Sequence, residues 1–192
     1  MMPIKSWILR TLRALLRPRM LYGHRHPSGA WLAHTRIGSS TELESPELLD
    51  LGDHVFIGHH NFIDASGGLK IGEGTQITNH VSVLTHSSHR ALRLMGRDYF
   101  GHPQPLGFVR RSTEIGPYCF IGPHSVIMPG TRLGRGVLVR AFSYVDGEFP
   151  DYAIVAGQPA RVVGDVRQGD AAWVEPHPQI RSTYCGQGWP GR

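Results

Sequence analysis

The feature that most constrains this 192-residue chain is a period of six. From Ile115 the sequence reads IGPYCF, IGPHSV, IMPGTR, LGRGVL, VRAFSY, VDGEFP, which sets Ile115, Ile121, Ile127, Leu133, Val139 and Val145 at a fixed spacing. Ile, Leu and Val make up about a fifth of the chain. Six consecutive hits therefore have a chance on the order of one in ten thousand per starting point. The residue four places on is small or short in each of five rungs: Cys119, Ser125, Thr131, Val137 and Ser143. A helix needs apolar residues every three or four positions and an open strand every two. Six suits neither. It suits a chain that turns a corner every six residues and sends one aliphatic inward per flat side. Three sides make a coil of about eighteen residues, and successive coils stack at the ordinary strand spacing of about 4.8 Å. The expected fold is an all-β solenoid, a triangular parallel β-helix.

Upstream the sixes begin at Thr35 with Ile37, Leu43 and Leu49, firm up at Leu51, Ile57 and Ile63, and resume at Ile71, Ile77 and Val83. The two-residue slip between them falls on Gly67-Gly68, where a bulged corner is expected. From Leu84 to Ser112 there is no hexad, and an irregular excursion of that length inside a compact domain points to function. The closing PDYAIVAGQPARVVG reads as a strand, a Gly-x-Pro turn and a second strand. The chain therefore divides into a lead-in (1–34), the coil (35–166, with the excursion at 84–112) and a tail (167–192) that is poor in aliphatics and expected to be loosely held.

Before the coil, residues 4–20 read as a basic amphipathic helix. Ile4, Ile8, Leu12, Leu15 and Leu16 share one face, Lys5, Arg10, Arg13 and Arg17 lie off it, and Pro18 ends it. Such a helix either caps the open end of the coil or lies on an anionic membrane. The net charge of +5 favours an anionic partner. The apolar run at the start is broken by Arg10 and Arg13, and no stretch is long enough to span a bilayer, so the expected location is cytoplasmic, with peripheral contact at the inner membrane face through residues 4–20. Two cysteines are too few for a disulfide framework, and Cys119, at a small inward position, reads as a core thiol.

Of twelve histidines most must be bystanders at corners. His86 stands out because it follows Val83-Leu84-Thr85, where the chain leaves a regular strand, so that a rigid wall positions it beneath the excursion. Asn61 and Asp64, one coil earlier, offer polar contacts to a hydroxyl-bearing ligand. His59, His60, His80 and His124 raise a second possibility, a zinc site between coils or copies, although none has the tight local spacing of a zinc motif. The chain has no phosphate-binding Gly-rich loop, no dinucleotide fingerprint and no Gly-x-Ser-x-Gly elbow. Its aromatics are not interleaved with basic residues as a nucleic-acid platform requires.

With its hexads, THSSH at 85–89, EIGPYCFIGPHSVIMPGTRLG and FPDYAIVAGQPARVVG, the chain resembles the hexapeptide-repeat acyltransferases. The likeness is to the sugar O-acetyltransferases of galactoside, maltose, nodulation and exopolysaccharide type. The resemblance implies a left-handed coil, a homotrimer with active sites between subunits, acetyl-CoA as co-substrate and no metal. It makes His86 the catalytic base and His89 a companion. It puts Asp64 where relatives hold an acceptor-binding Asn, Ala141 and Arg161 against acetyl-CoA, and Ser143 on the same wall. Three departures qualify it. Residues 64–71 are short for the galactoside type. Pro123 lacks the N–H that relatives can offer to an oxyanion. Gly147 and Gly164 replace basic residues, for which Arg132, Arg135, Arg140 or Arg167 are the candidate substitutes. The implied activity is direct transfer of an acetyl group to a sugar hydroxyl of an envelope polysaccharide. The alternatives are an N-acetyltransferase acting on an amino sugar, a zinc lyase of the γ-carbonic-anhydrase kind, and a non-catalytic rod.

Overall fold

The computed structural model describes Ile8, Leu12, Ala14 and residues 17–191. Three faces of short parallel strands stack along the chain. The first face runs through Trp31–Gly38, Phe56–Ile57, Gln76–Ile77, Phe120–Ile121, Leu138–Val139 and Ala153–Gly157. The second holds Glu42–Glu44, Phe62–Asp64, Ser82–Val83, Val126–Ile127 and Tyr144–Val145. The third holds Leu49–Leu51, Leu69–Ile71, Thr113–Ile115, Arg132–Leu133 and Glu148–Phe149. The chain visits the faces in rotation, which makes a three-sided coil.

The period of six is the reason. Ile37, Ile57, Ile77, Ile121, Val139 and Val155 are in register on the first face, each above the last. Leu43, Ile63, Val83, Ile127 and Val145 form the second column. Leu51, Ile71, Ile115, Leu133 and Phe149 form the third. Apart from Leu43, which is partly buried, all of them lie in one buried core. The small residues four places on are inward as well: Cys119, Ser125, Thr131, Val137 and Ser143 are all buried, and their hydroxyls bond to coil carbonyls. Burial pushes the Cys119 thiol up to about 12, which fits an inert core group.

The slip at Gly67-Gly68 is a bulged corner. Gly68 has φ +90°, and a Cβ on Gly67 would lie 2.6 Å from the Thr85 carbonyl oxygen. The same corner also bulges one coil earlier, through Ser45 in a left-handed conformation and a 3-10 turn over Pro46–Leu48. The long excursion leaves from this same corner one coil later.

At the start of the first face, Met20–Arg25 pairs antiparallel with Trp31–Gly38, and at its end Ala160–Asp165 folds back on Ala153–Gly157. The antiparallel ending matches the sequence reading. The helix expected at residues 4–20 lies mostly outside the described residues. Ile8 and Leu12 are helical and about half exposed, and Met20 already belongs to a strand. The tail is not loose. Asp165 caps the helix Val166–Val174, Ala171 and Val174 are buried, Tyr184 donates to Asp170 at 2.7 Å, and Arg135 Nη1 donates to the Cys185 carbonyl. A few aromatic and small residues hold it where aliphatic content suggested nothing would. No described helix is long and apolar enough to cross a membrane.

Ile121 is fully buried between Ile77 and Val139. Truncation to Ala should cost about 2–5 kcal/mol, read as a fall in the thermal midpoint. A loss below about 1 kcal/mol would mean that this column does not carry the core.

Candidate active site

His86 sits at the root of the excursion. It pairs with Arg110, and Ser87 with Val109, in a two-stranded antiparallel stem. Between the two arms of that stem lie the helix His89–Met95 and a 3-10 segment Gly96–Tyr99. The stem is tied back to the coil where Arg111 N–H donates to the Thr85 carbonyl at 2.9 Å.

Directly beneath is Asp64, the last residue of its strand and fully buried. Its Oδ2 accepts from the N–H groups of Thr85 at 2.8 Å and His86 at 3.2 Å, and lies 2.8 Å from His86 Nδ1. Its Oδ1 accepts from Ser66 N–H at 2.8 Å. Burial alone would push this carboxyl up. Hydrogen bonds from the Ser66 hydroxyl, the Thr85 and Ser66 N–H groups and the Thr85 hydroxyl outweigh it and hold the pKa down at about 2. An ionised carboxylate can only accept, so the Nδ1 facing it carries the ring proton. Nε2 is then the free lone pair. The Ser66 oxygen lies 3.0 Å from the same Nδ1, and Phe108 stacks on the imidazole at 5.6 Å. The ring is thus gripped on one edge and covered on one face, with 31% of its side chain exposed.

The sequence reading had Asp64 and Asn61 touching an acceptor, and the structure corrects both. Asp64 has no exposed surface and spends its oxygens on the protein. Asn61 donates to the Thr78 carbonyl and accepts from Val81 N–H inside the coil. Asp64 positions His86 instead. Ser143 is likewise not on an outer wall, because it is buried and donates to the Arg140 carbonyl at 2.7 Å. His89 is exposed at the first residue of its helix, with Nδ1 2.7 Å from the Ser87 hydroxyl. Ser66 is the positioning residue that sequence reasoning missed. Its signal was its place beside Gly67-Gly68, on the corner that the excursion occupies one coil later.

Ala141 is exposed on the corner between the first and second faces, and Arg161 is exposed in the closing strand Ala160–Asp165, opposite Ala156 at the end of the first face. Gln158 Nε2, from the closing turn, donates to the Phe142 carbonyl and brings that turn against this corner. Among the candidate basic residues, Arg132 pairs with Glu114 and Glu148, Arg135 with the Cys185 carbonyl, and Arg167 with Asp165. Arg140, next to Ala141, is exposed. This corner differs from that of His86, and Tyr144–Val145 lies two rungs from Ser82–Val83, about 10 Å along the coil.

The bystander histidines do corner duty. His60, His80, His124 and Phe142 stack ring on ring at 4.8–5.1 Å, each with a left-handed backbone. Among the described residues, one group of three could hold a metal: His34, Asp53 and His54, on the corner between the third and first faces. Its two imidazoles are parallel within 4°, so their in-plane lone pairs do not converge on one ion.

Residues 112–147 match the bacterial transferase hexapeptide (six repeats) family. The stretch 112–147 therefore carries transferase hexapeptide repeats. A probable acetyltransferase of Mycobacterium tuberculosis is 29% identical over 138 residues, covering 70% of this chain but 42% of that protein. The galactoside O-acetyltransferase of Escherichia coli is 29% identical over 164 residues, covering 78% of this chain and 76% of its own. A putative lipopolysaccharide biosynthesis O-acetyl transferase of the same organism is 26% identical, covering 66% and 65%. In fold, the hexapeptide coil is similar to a galactoside acetyltransferase solved with coenzyme A, with a TM-score of 0.56, 24% identity, and coverage of 68% of this chain and 62% of that one.

The Asp64 carboxylate titrates lower in the folded chain than its ordinary 3.8, so its stabilisation is present above that pH and is lost as pH falls through about 2. The shift corresponds to about 2 kcal/mol. Melting curves of wild type and Asp64→Asn should differ by that order at neutral pH and converge between these limits. A gap that persists in acid would contradict the hydrogen-bonded carboxylate.

Proposed function

We propose that this protein is an acetyltransferase that moves the acetyl group of acetyl-CoA directly to a sugar hydroxyl, with His86 as general base. The observation that carries the reading is the Asp64–His86 contact at 2.8 Å, which turns Nδ1 to the carboxylate so that Nε2 is the acceptor nitrogen of the neutral ring. The family match and the acetyltransferases among its relatives supply the donor. Nε2 takes the proton of the acceptor hydroxyl as its oxygen bonds to the thioester carbon. The C–S bond then breaks, and the leaving thiolate takes the proton back from Nε2. Asp64 keeps the ring in its tautomer and favours the imidazolium formed between the two steps, without taking a proton itself. Cys119 is inert, so no covalent acyl-enzyme on that thiol is invoked.

The coil is proposed to wind left-handed, as the family resemblance implies. Ala141, Arg161 and Arg140 are proposed to receive acetyl-CoA. Because Arg140 and Ala141 lie on another corner from His86, about two rungs along the coil, and Arg161 lies in the closing strand beyond them, a complete site is proposed to form between neighbouring copies of a homotrimer. The acceptor is proposed to be an envelope polysaccharide unit, by analogy with the lipopolysaccharide relative.

A thiol-release assay with a panel of nucleotide-activated and lipid-linked sugars tests the activity. His86→Ala should lower kcat roughly 10²–10⁴-fold with KM for acetyl-CoA little changed. Asp64→Asn should also lower kcat, about tenfold or more, while still binding acetyl-CoA. Near-normal turnover of His86→Ala would remove that residue from the role.

A further inference from the structure

The excursion folds around a space of its own. A cavity of about 760 Å³ opens between Tyr99, His102, Gln104, Leu106, Phe108 and Arg110, all on its returning arm. That arm is fixed in place. Leu106 N–H donates to the Met95 thioether at 3.1 Å, and Phe108 N–H donates to the Pro105 carbonyl at 3.1 Å. A Cβ on Gly107, which has φ +80°, would lie 3.0 Å from the side chains of Arg90 and Leu94. The arm is thereby packed on the helix His89–Met95, and Pro103 and Pro105 restrict its backbone.

Two residues of the cavity wall also belong to the His86 site. Phe108 stacks on the imidazole at 5.6 Å, and Arg110, opposite His86 in the stem, lays its guanidinium over the Phe108 ring at 5.7 Å. His86 itself does not line the cavity. A group held there is separated from the imidazole by Phe108, whereas a reacting hydroxyl must come within about 3 Å of Nε2. The two therefore belong to neighbouring units of one acceptor. The lining says what the remote unit is. Tyr99 and Phe108 offer flat apolar faces to the C–H side of a sugar ring, and His102 and Gln104 offer hydrogen bonds to its hydroxyls. Arg110, which makes no ion pair among the described residues, offers a fork to a carboxylate or phosphate.

We infer that this cavity is a subsite for an anionic sugar unit, next to the unit that is acetylated. What the subsite serves rests on the proposed acetyl transfer; its binding of the sugar does not. In the proposed assembly a neighbouring copy closes over this segment, so the cavity is a pocket within the site and not a free surface. The rival occupant of Arg110 is a carboxylate of that neighbour, for which Glu42, Glu44, Glu47 and Asp146 are exposed.

The test is a ligand-observed NMR titration of the full chain, without acetyl-CoA, against glucuronic acid, glucose 1-phosphate and glucose. Wild type should bind at least one of the two anionic sugars about tenfold or more tightly than glucose, and the better of the two names the anion. Arg110→Gln should remove that preference, and Tyr99→Ala should weaken the binding of every sugar, both at an unchanged thermal midpoint. Wild type that binds none of the three, or all three alike, would overturn the subsite. So would an Arg110→Gln chain that keeps the preference. A changed sedimentation coefficient in Arg110→Gln, at an unchanged thermal midpoint, would show that Arg110 holds a neighbouring copy, and would overturn it as well. Anionic-sugar binding in a chain that transfers no acetyl group would support the subsite and sink the acetyl-transfer reading alone.

Discussion

Everything in this molecule depends on aliphatic columns that must stay in line. Each coil presents one Ile, Leu or Val per face to the residue a rung above and below, at strand spacing. A shift of one residue within a side would throw an aliphatic outward and a polar group inward. Extra residues can therefore leave the coil only at a corner. Three departures do so at the same one, between the second and third faces: Leu43 to Leu51, Ile63 to Ile71, and Val83 to Ile115. The first is a 3-10 turn, the second a glycine bulge and the third the excursion.

The candidate site follows from stacking those departures. The second bulge supplies Asp64, Ser66 and Gly67, and the third supplies Thr85 and His86 one coil above. Each grips the other: Gly67 N–H donates to the Thr85 hydroxyl, and Thr85 and His86 N–H groups donate to Asp64. A buried carboxylate without such donors would be protonated or expelled. Here the donors belong to the residues whose positions the chemistry needs, so the cost of burying the charge and the placement of the imidazole are met by the same hydrogen bonds. The site is rigid because the bulge and the stem of the excursion lock together.

How much of this was legible follows from what a period can say. It gives the column a residue belongs to, so Ile121 and Ser125 were placed inward correctly, and the Gly67-Gly68 slip was read as a corner. It gives nothing about which way a corner side chain reaches between coils. The period therefore suggests an acceptor contact for Asp64, which instead turns beneath Thr85 and His86, and it carries no sign of the contact between Ser66 and His86. Asn61 failed because a buried amide had both of its groups spent within the coil. Ser143 was legible and misread: its inward position in the hexad already excluded an outer wall. The tail's fixed position rests on one cap, a tyrosine and an arginine bond, which no count of aliphatics reports.

The most direct measurement is the tautomer of His86, by ¹⁵N NMR of imidazole-labelled protein at neutral pH. The account predicts a protonated Nδ1, held by the Asp64 carboxylate, and a bare Nε2 free to take a proton. The opposite tautomer in the wild-type chain, or one unchanged when Asp64 becomes Ala and the acceptor is removed, would contradict it.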